Sequence, residues 1–588
     1  MQTQRLILWI IFSMSVLFLW DAWQQHNGQP PLFGGAPAQK PADASGAAGS
    51  TTAQPVPPSV PSVPADPSIP SAPAPVSAVP GMPAGRDLSS SSATALPEPF
   101  RLGNDVLALE IDPEGGQVRR AELLKHRDTV AGVGNVVLLD SSANSFYRAQ
   151  SGLIGAAVGS FPTHRTLMQR AQSSLPAQLD ASGKEAGLIL VAESGGLRLE
   201  RTLRLARGSY VLEVSDRITN IGSERQSPVL YLQLTRDSAA PPGSNQFYST
   251  YVGPVIYTDA QKFQKVSFSD IDKGKPTHAT QAQDGWLAII QHYFLSAWVP
   301  PEQAAREYYT RKIDQRLYSV GTKIPAGDLA PGESKTLNTR LLVGPQDQSM
   351  LEAVAPGLEL VVDYGWLTAI AKPIYWLLDR LHDLVGNWGW AIVLLTILIK
   401  TAFYPLQAAS YRSMAKMKAV TPRMMALRER YGDDRVRLNQ AMMELYKNEK
   451  INPLGGCLPI VVQIPVFISL YWVLIASVEM RDAPWIGWIT DLASPDNLFG
   501  TVPWLDMPLG LLPILMAVTM FIQIKLNPTP PDPIQAKMMM ILPLVFSVMF
   551  FFFPSGLVLY WLVNNIYSIA QQWLIIRRFE QERAAKAA

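Results

Sequence analysis

Leu395–Leu406 reads LTILIKTAFYPL, a lysine set among aliphatic and aromatic residues. Preceded by WGWAIVL, the apolar stretch runs from Trp388 to Leu406. At about 1.5 Å per helical residue it can cross most of a bilayer core of roughly 30 Å. Lys400 then lies below the surface, where a charge near mid-helix costs about 2.5–3.5 kcal/mol on insertion scales. Reading this segment as a membrane span with a cation inside it decides the fold of the second half of the chain.

Working outward, further apolar runs occupy 459–478, 509–524, 538–553 and 557–576. An apolar run from Leu6 to Trp20, with Arg5 before it and Asp21 after it, makes a sixth. Its pattern fits either a cleaved signal peptide or an uncleaved signal anchor. The bulky end Phe18-Leu19-Trp20 favours the anchor, placed in 1–26; the nearest cleavage-like site, GAPAQ at 35–39, lies far downstream. Loop charge orients the spans. Residues 407–450 hold ten Lys or Arg against five Asp or Glu, while 479–508 hold one against five. The first loop should therefore be cytoplasmic and the second outside. Six crossings, with the chain end RRFEQERAAKAA basic from Arg577 and 579–588 as the tail, put both termini in the cytoplasm. One cysteine, Cys457, excludes an internal disulfide, so disulfide chemistry says nothing about compartment.

Between anchor and core the chain has two other characters. Residues 27–99 are rich in Pro, Ala and Ser and lack a sustained apolar period; 17 of the 48 prolines fall between Pro30 and Pro99. Such a composition predicts an extended, partly polyproline tether outside the cytoplasm. From 100 to 350 the period becomes two. In LRLERTLRL, Leu197, Leu199, Leu203 and Leu205 share one face and Arg198, Glu200, Thr202 and Arg204 the other. Repeated strands with Gly115-Gly116, Asn220 and Pro241-Pro242-Gly243 as punctuation predict a large all-β sandwich. It carries no Gly-x-Ser-x-Gly, no phosphate loop and no metal-spaced cluster, and His278 and His292 read as ordinary surface or core residues. The stretch 360–384 is amphipathic, with Trp366, Ile370, Ile374, Leu377, Leu378 and Leu381 at helical spacing. It suits an interfacial helix on the membrane or a helix packed on the β-domain.

The chemistry concentrates in the core, 385–578. No acid lies in any span, and Lys400 is the only full charge there. A secondary transporter with a substrate-capturing outer domain is the alternative function, but the intramembrane acids and repeated halves that such proteins use are missing from the pattern. A sugar-binding β-sandwich is another, which paired carboxylates in a cleft would favour. Lys400 could snorkel to the cytoplasmic side. Thr396, four residues earlier on the same face, and Gln463, Thr519, Gln523, Ser547, Asn564, Asn565, Ser568, Gln571 and Gln572 in other spans point instead to a wet cavity or to interhelical hydrogen bonds. The loop 407–450 predicts a helical hairpin, with YGDDR supplying a Gly stop and an Asp cap. Its Arg412, Lys416, Lys418, Arg423, Arg428 and Arg430 suit anionic lipid or ribosomal RNA, or simply a solvated positive-inside face.

The strings MAKM, INPLGGCLPIVVQIPVF, FPSGLVLYW and the NWGW run before the membrane cation resemble the YidC family of membrane protein insertases. The match is close from Tyr364 to about Arg578, and the order of anchor, tether, β-domain and five spans resembles the Gram-negative form. The resemblance implies an α-helical membrane bundle of six transmembrane helices, five forming the core, with a large periplasmic all-β sandwich, in the bacterial inner membrane. It implies a hydrophilic groove in the inner leaflet with a central cation, serving nascent membrane proteins alone or with Sec translocon components, with the ribosome and membrane lipids as further partners and no cofactor. Lys400 stands where most bacterial members have arginine, keeping the charge without the five-donor fork. Tyr560 matches a family tyrosine, and Trp561 stands where many members have a second one. With Thr396, Gln463 and Asn564 these are the residues expected at the groove.

Overall fold

In Leu197–Ala206 the alternation becomes a strand whose four leucines are buried while Arg198 and Arg204 are exposed. Alternate side chains take alternate faces, so residue 201 falls on the leucine face, and it is an arginine. Arg201 is 1% exposed and grips Asp216 on Val211–Asn220, with Nε–Oδ1 2.7 Å and Nη2–Oδ2 3.1 Å. Its Nη1 donates to Gly115 O at 3.1 Å. The matched fork is the condition under which an ion pair can sit in a core.

A computed structural model describes residues 68–70, 98–128, 134–142, 145–156, 160–241, 251–432, 434–449, 458–502, 507–526, 537, 541 and 547–587. They form two units divided after Val361. Among the described residues of the first unit, antiparallel strands build two nine-stranded sheets. One runs Phe100–Gly103, Leu107–Ile111, Val118–Arg127, Asn135–Ser142, Ser145–Ile154, Val229–Asp237, Leu317–Pro325, Arg306–Asp314, Gln281–Ala282. The other runs Lys262–Lys265, Gly253–Thr258, Trp286–Gln291, Phe294–Val299, Ser334–Pro345, Val211–Asn220, Leu197–Ala206, Glu185–Ser194, Gln169–Ala171. Trp298 of the second sheet donates Nε1–H to Gln233 O of the first at 3.1 Å, and Tyr147 OH of the first meets Ser296 Oγ of the second. The two sheets thus close on one core, with Leu230, Leu232 and Leu234 fully buried. The expected all-β sandwich is present.

The second unit is helical, with α1 Thr368–Val385, α2 Trp388–Ala402, α3 Tyr404–Tyr431, α4 Arg435–Asn448, α5 Leu458–Ala476, α6 Leu511–Leu526 and α7 Ser555–Ala587. The NWGW run makes the turn from α1 into α2. Gly386, at φ 66°, closes α1 by donating to His382 O, and the Asn387 side chain caps α2 by accepting from Trp390 N–H at 3.1 Å. A Cβ on Gly389 would run into the Trp485 indole, so only glycine lets α2 approach there. The α1 helix starts later than the expected 360–384. Its buried face, Ala371, Ile374 and Leu378, rests on α2 and α5, with Trp376 and Leu384 exposed.

The expected span 388–406 is not one helix. The chain ends α2 at Ala402, breaks at Phe403 and leaves along α3 at 66°. Pro405, at the start of α3, has no N–H for the Thr401 carbonyl, and in a continued helix its ring would crowd that oxygen. At about 1.5 Å per residue, α2 alone is shorter than a bilayer core. Among the described residues no single helix is long and apolar enough to cross a membrane; α2 and α3 pass that test as a bent pair. The expected spans 459–478 and 509–524 correspond to α5 and α6 with shifted ends. The expected span 557–576 lies inside α7, which continues to Ala587 through most of the expected tail. The signal anchor, most of the tether and half of 538–553 lie outside the described residues.

One acid and two backbone carbonyls in the loop after α5 hold helix starts. Asp496, 3% exposed, accepts from Leu512 N in the first turn of α6 at 2.8 Å and from Trp488 Nε1 at 3.1 Å. Ser494 O and Leu492 O receive the amides of Ser555 and Gly556 at the start of α7.

Candidate functional site

Lys400 stands in the last turn of α2, 3% exposed. Its Nζ donates to Gln463 Oε1 on α5 at 3.0 Å and to Ser568 Oγ on α7 at 2.9 Å. No ion pair with Lys400 occurs among the described residues. The ammonium is therefore held by neutral oxygens and by the carbonyl end of its own helix, which favours a cation by about 0.3–1 kcal/mol.

The partners form a connected set. Gln463 Nε2 donates to Asn564 Oδ1 at 2.6 Å and lies 3.4 Å from Tyr560 OH. Ser568 Oγ donates to Asn564 O at 2.7 Å. Tyr560, Asn564 and Ser568 recur every four residues, so one face of α7 carries all three. Trp561 turns another way: its ring meets Phe467 edge-on at 4.5 Å and Phe550 at 5.3 Å, and its buried Nε1 has no partner among the described residues. Thr396 is buried but bonds back to Ile392 O at 2.7 Å. Of the expected site residues the structure brings Lys400, Gln463, Asn564 and Tyr560 together, with Thr396 and Trp561 outside the hydrogen-bonded set. Ser568, a direct partner of Lys400, was not singled out as a site residue; its four-residue spacing from Asn564 was the signal.

The basic hairpin is α3 and α4. Gly432 follows α3, and Asp434 caps α4 by accepting from Arg437 N. Val420 and Met424 pack against Met417, Met442, Leu445 and Tyr446. Arg412, Lys416, Lys418, Arg423 and Arg430 are exposed and Arg428 half-buried, while Arg423 also pairs with Glu449. These cations lie on the outside of the hairpin, apart from the Lys400 cluster.

Comparison with known proteins bears on both units. The family model described as the YidC periplasmic domain matches residues 100–377, and that described as 60Kd inner membrane protein matches 380–582. The membrane protein insertase YidC of Janthinobacterium sp. (strain Marseille) is 50% identical over 98% of this chain and 99% of its own length. That of Bordetella parapertussis is 52% identical over the whole of both chains. The chain belongs to the YidC family of membrane protein insertases. A crystal structure of an active YidC insertase, 16% identical, covers 81% of this chain and 94% of its own with a TM-score of 0.36. Within the YidC framework the β-sandwich is the periplasmic domain and the helical unit the inner-membrane part.

Proposed function

We propose that the Lys400 cluster receives the polar flank of a nascent membrane protein, and that the helices around it form a hydrophilic groove within the inner leaflet. The observation that carries this reading is the neutral ligation of a buried ammonium by Gln463 and Ser568. Its charge is solvated but not cancelled, so an acidic group on a client can replace a neutral oxygen and gain an ion pair. A short polar flank crossing dry hydrocarbon leaves unpaired groups that cost several kcal/mol each. A wet path part-way across removes much of that barrier. Burial of the client's apolar span then supplies the driving force without a nucleotide.

In this reading six spans cross the membrane, both termini are cytoplasmic and residues 27–384 are periplasmic. The exposed cations of the α3–α4 hairpin meet anionic lipid and the ribosome, and Sec translocon components act with the insertase on some clients. The test is protease accessibility of a short-tailed, acid-bearing single-span client in cells depleted of their own insertase and carrying this chain at matched membrane levels. Wild type and Lys400→Arg should export the tail, and Lys400→Ala should leave it inside. Export by the Ala variant at the wild-type rate would remove the charge-attraction step; failure of wild type itself would remove the groove reading for that client.

A further inference from the structure

One short piece of the tether, Ser68–Pro70, is seated on the β-domain. Strand register locates the seat. Tyr147 reaches the second sheet, and its cross-strand partner is Arg236. The pair Gln150 and Gln233, offset by an odd number of residues on each strand, therefore lies on the opposite, outward face of the first sheet. On that face Tyr309 lies across Gly321, where a Cβ would collide with the phenol ring.

The seat is a set of donors held in place from behind. Tyr309 OH donates to Gln233 Oε1 at 2.8 Å, which fixes the amide so that Nε2 donates to Gln150 Oε1 at 2.8 Å and to Ser68 O at 3.0 Å. Thr235 Oγ1 donates to Gln150 Oε1 at 2.8 Å, and Gln150 Nε2 to Gln117 Oε1 at 2.9 Å. Gln233, Thr235, Gln150 and Gln117 are all buried. Arg311 adds a fork, Nη2 to Ser68 O at 2.9 Å and Nη1 to Ile69 O at 3.0 Å. Ser68 Oγ meets Nε2 of the fully buried His164 at 3.1 Å, and Ile69 packs on Ile154, Val229 and Tyr231.

The chemistry on the two sides is complementary. In Pro67-Ser68-Ile69-Pro70 two of four residues have no N–H, so this stretch carries more acceptors than donors. The seat presents donors to two successive carbonyls and an apolar step to the one branched side chain. Ile69, before a proline, is restricted in conformation, and with Ser68 it is seated as a turn, so docking loses little chain entropy. We infer that this outward face of the periplasmic domain is a peptide-binding slot for short, turned, proline-flanked segments, and that Ser68-Ile69-Pro70 of the tether is its resident ligand. The tether is then strapped to the domain, and its free reach is set by where the slot holds it.

The test uses the full chain in detergent with Cys457→Ser and a single new thiol, either Ser68→Cys or Ser77→Cys. Maleimide should label position 68 at least tenfold more slowly than position 77. Adding Arg311→Ala should bring position 68 to the rate of position 77. Adding Ile69→Asp instead, which alters only the tether, should do the same and guards against misfolding of the domain. Labelling of position 68 as fast as position 77, or slow labelling that persists in both variants, overturns the inference.

Discussion

Gln463→Glu places a carboxylate where the structure has a neutral oxygen 3.0 Å from Lys400 Nζ, with no change in side-chain shape. A unit-charge pair at that separation is worth roughly 5 kcal/mol at an effective dielectric of 20. Burying the new carboxylate costs several kcal/mol, of about the same size. Stability should therefore move little, provided Asn564 turns its amide to donate where it now accepts from Gln463. Function should move much more. A client acid would now have to displace an internal carboxylate, and a deficit of only about 1.4 kcal/mol is tenfold in a rate or an equilibrium. The assay is time-resolved protease protection in inverted inner-membrane vesicles at pH 8, with two clients that differ only in an acidic or an uncharged tail. The acid-tailed client should insert at least tenfold more slowly, and the uncharged one at close to the wild-type rate. Equal rates for the acid-tailed client in wild type and Gln463→Glu would refute the idea that the bare charge of Lys400 attracts the flank.

A double-substitution cycle tests the cluster as a cluster. Ser568→Ala should cost about 1.5–3 kcal/mol in reversible unfolding when Lys400 is present, as expected for a lost hydrogen bond to a charged group, and little in a Lys400→Met background. Gly389→Val drives a side chain into Trp485 and should destabilise the helical unit by about 1–3 kcal/mol, read as a lowered unfolding midpoint. In the β-domain, Arg201→Ala leaves Asp216 buried without its partner and should cost about 3–5 kcal/mol; Arg201→Met with Asp216→Leu should recover most of that in the same measurement. The phenols of Tyr147 and Tyr308 are pushed up by burial to about 12. Because the raised value belongs to the folded state, their contribution is complete below the ordinary phenol value near 10 and is lost as pH rises through about 12. Tyr147→Phe should flatten the fall in stability between those limits in an alkaline unfolding series.

The β-sandwich was legible because period two is a strong signal, and it stayed legible through Arg201, which sits on the leucine face only because Asp216 faces it across the strand pair. The helical hairpin was legible from its Gly and Asp punctuation. The break at Phe403 was written in Pro405 but was overridden by the length of the apolar run, since hydropathy sums composition and ignores a missing N–H. In the site, Lys400, Gln463 and Asn564 could be found as polar residues in apolar spans. Which of those residues touch was not legible, because spacing on one helix says nothing about the rotation of its neighbours. Thr396 shows the limit: four residues from Lys400, it satisfies itself on its own backbone. The seating of Ser68–Pro70 was hidden for a related reason. Composition marks 27–99 as unable to build a core of its own, but it carries no information about three residues that borrow one.

The helix break and the lysine belong to one design. Had α2 continued to Leu406, Lys400 would lie in mid-helix, with every nearby carbonyl engaged in the helix and only side chains left to solvate it. Ending the helix at Ala402 leaves the Thr401 carbonyl without its usual amide, since Pro405 has none, and places Lys400 in the last turn, at the negative pole of the helix. Partial charges of this kind, with two neutral oxygens from α5 and α7, stabilise an ammonium without neutralising it. A carboxylate partner would hold the lysine more tightly and would also leave it with no charge to offer. Pro405 therefore does more than bend the chain. By stopping α2 two residues after Lys400, it leaves a buried cation without an acid beside it, and the proposed attraction of acidic flanks rests on that electrostatic state.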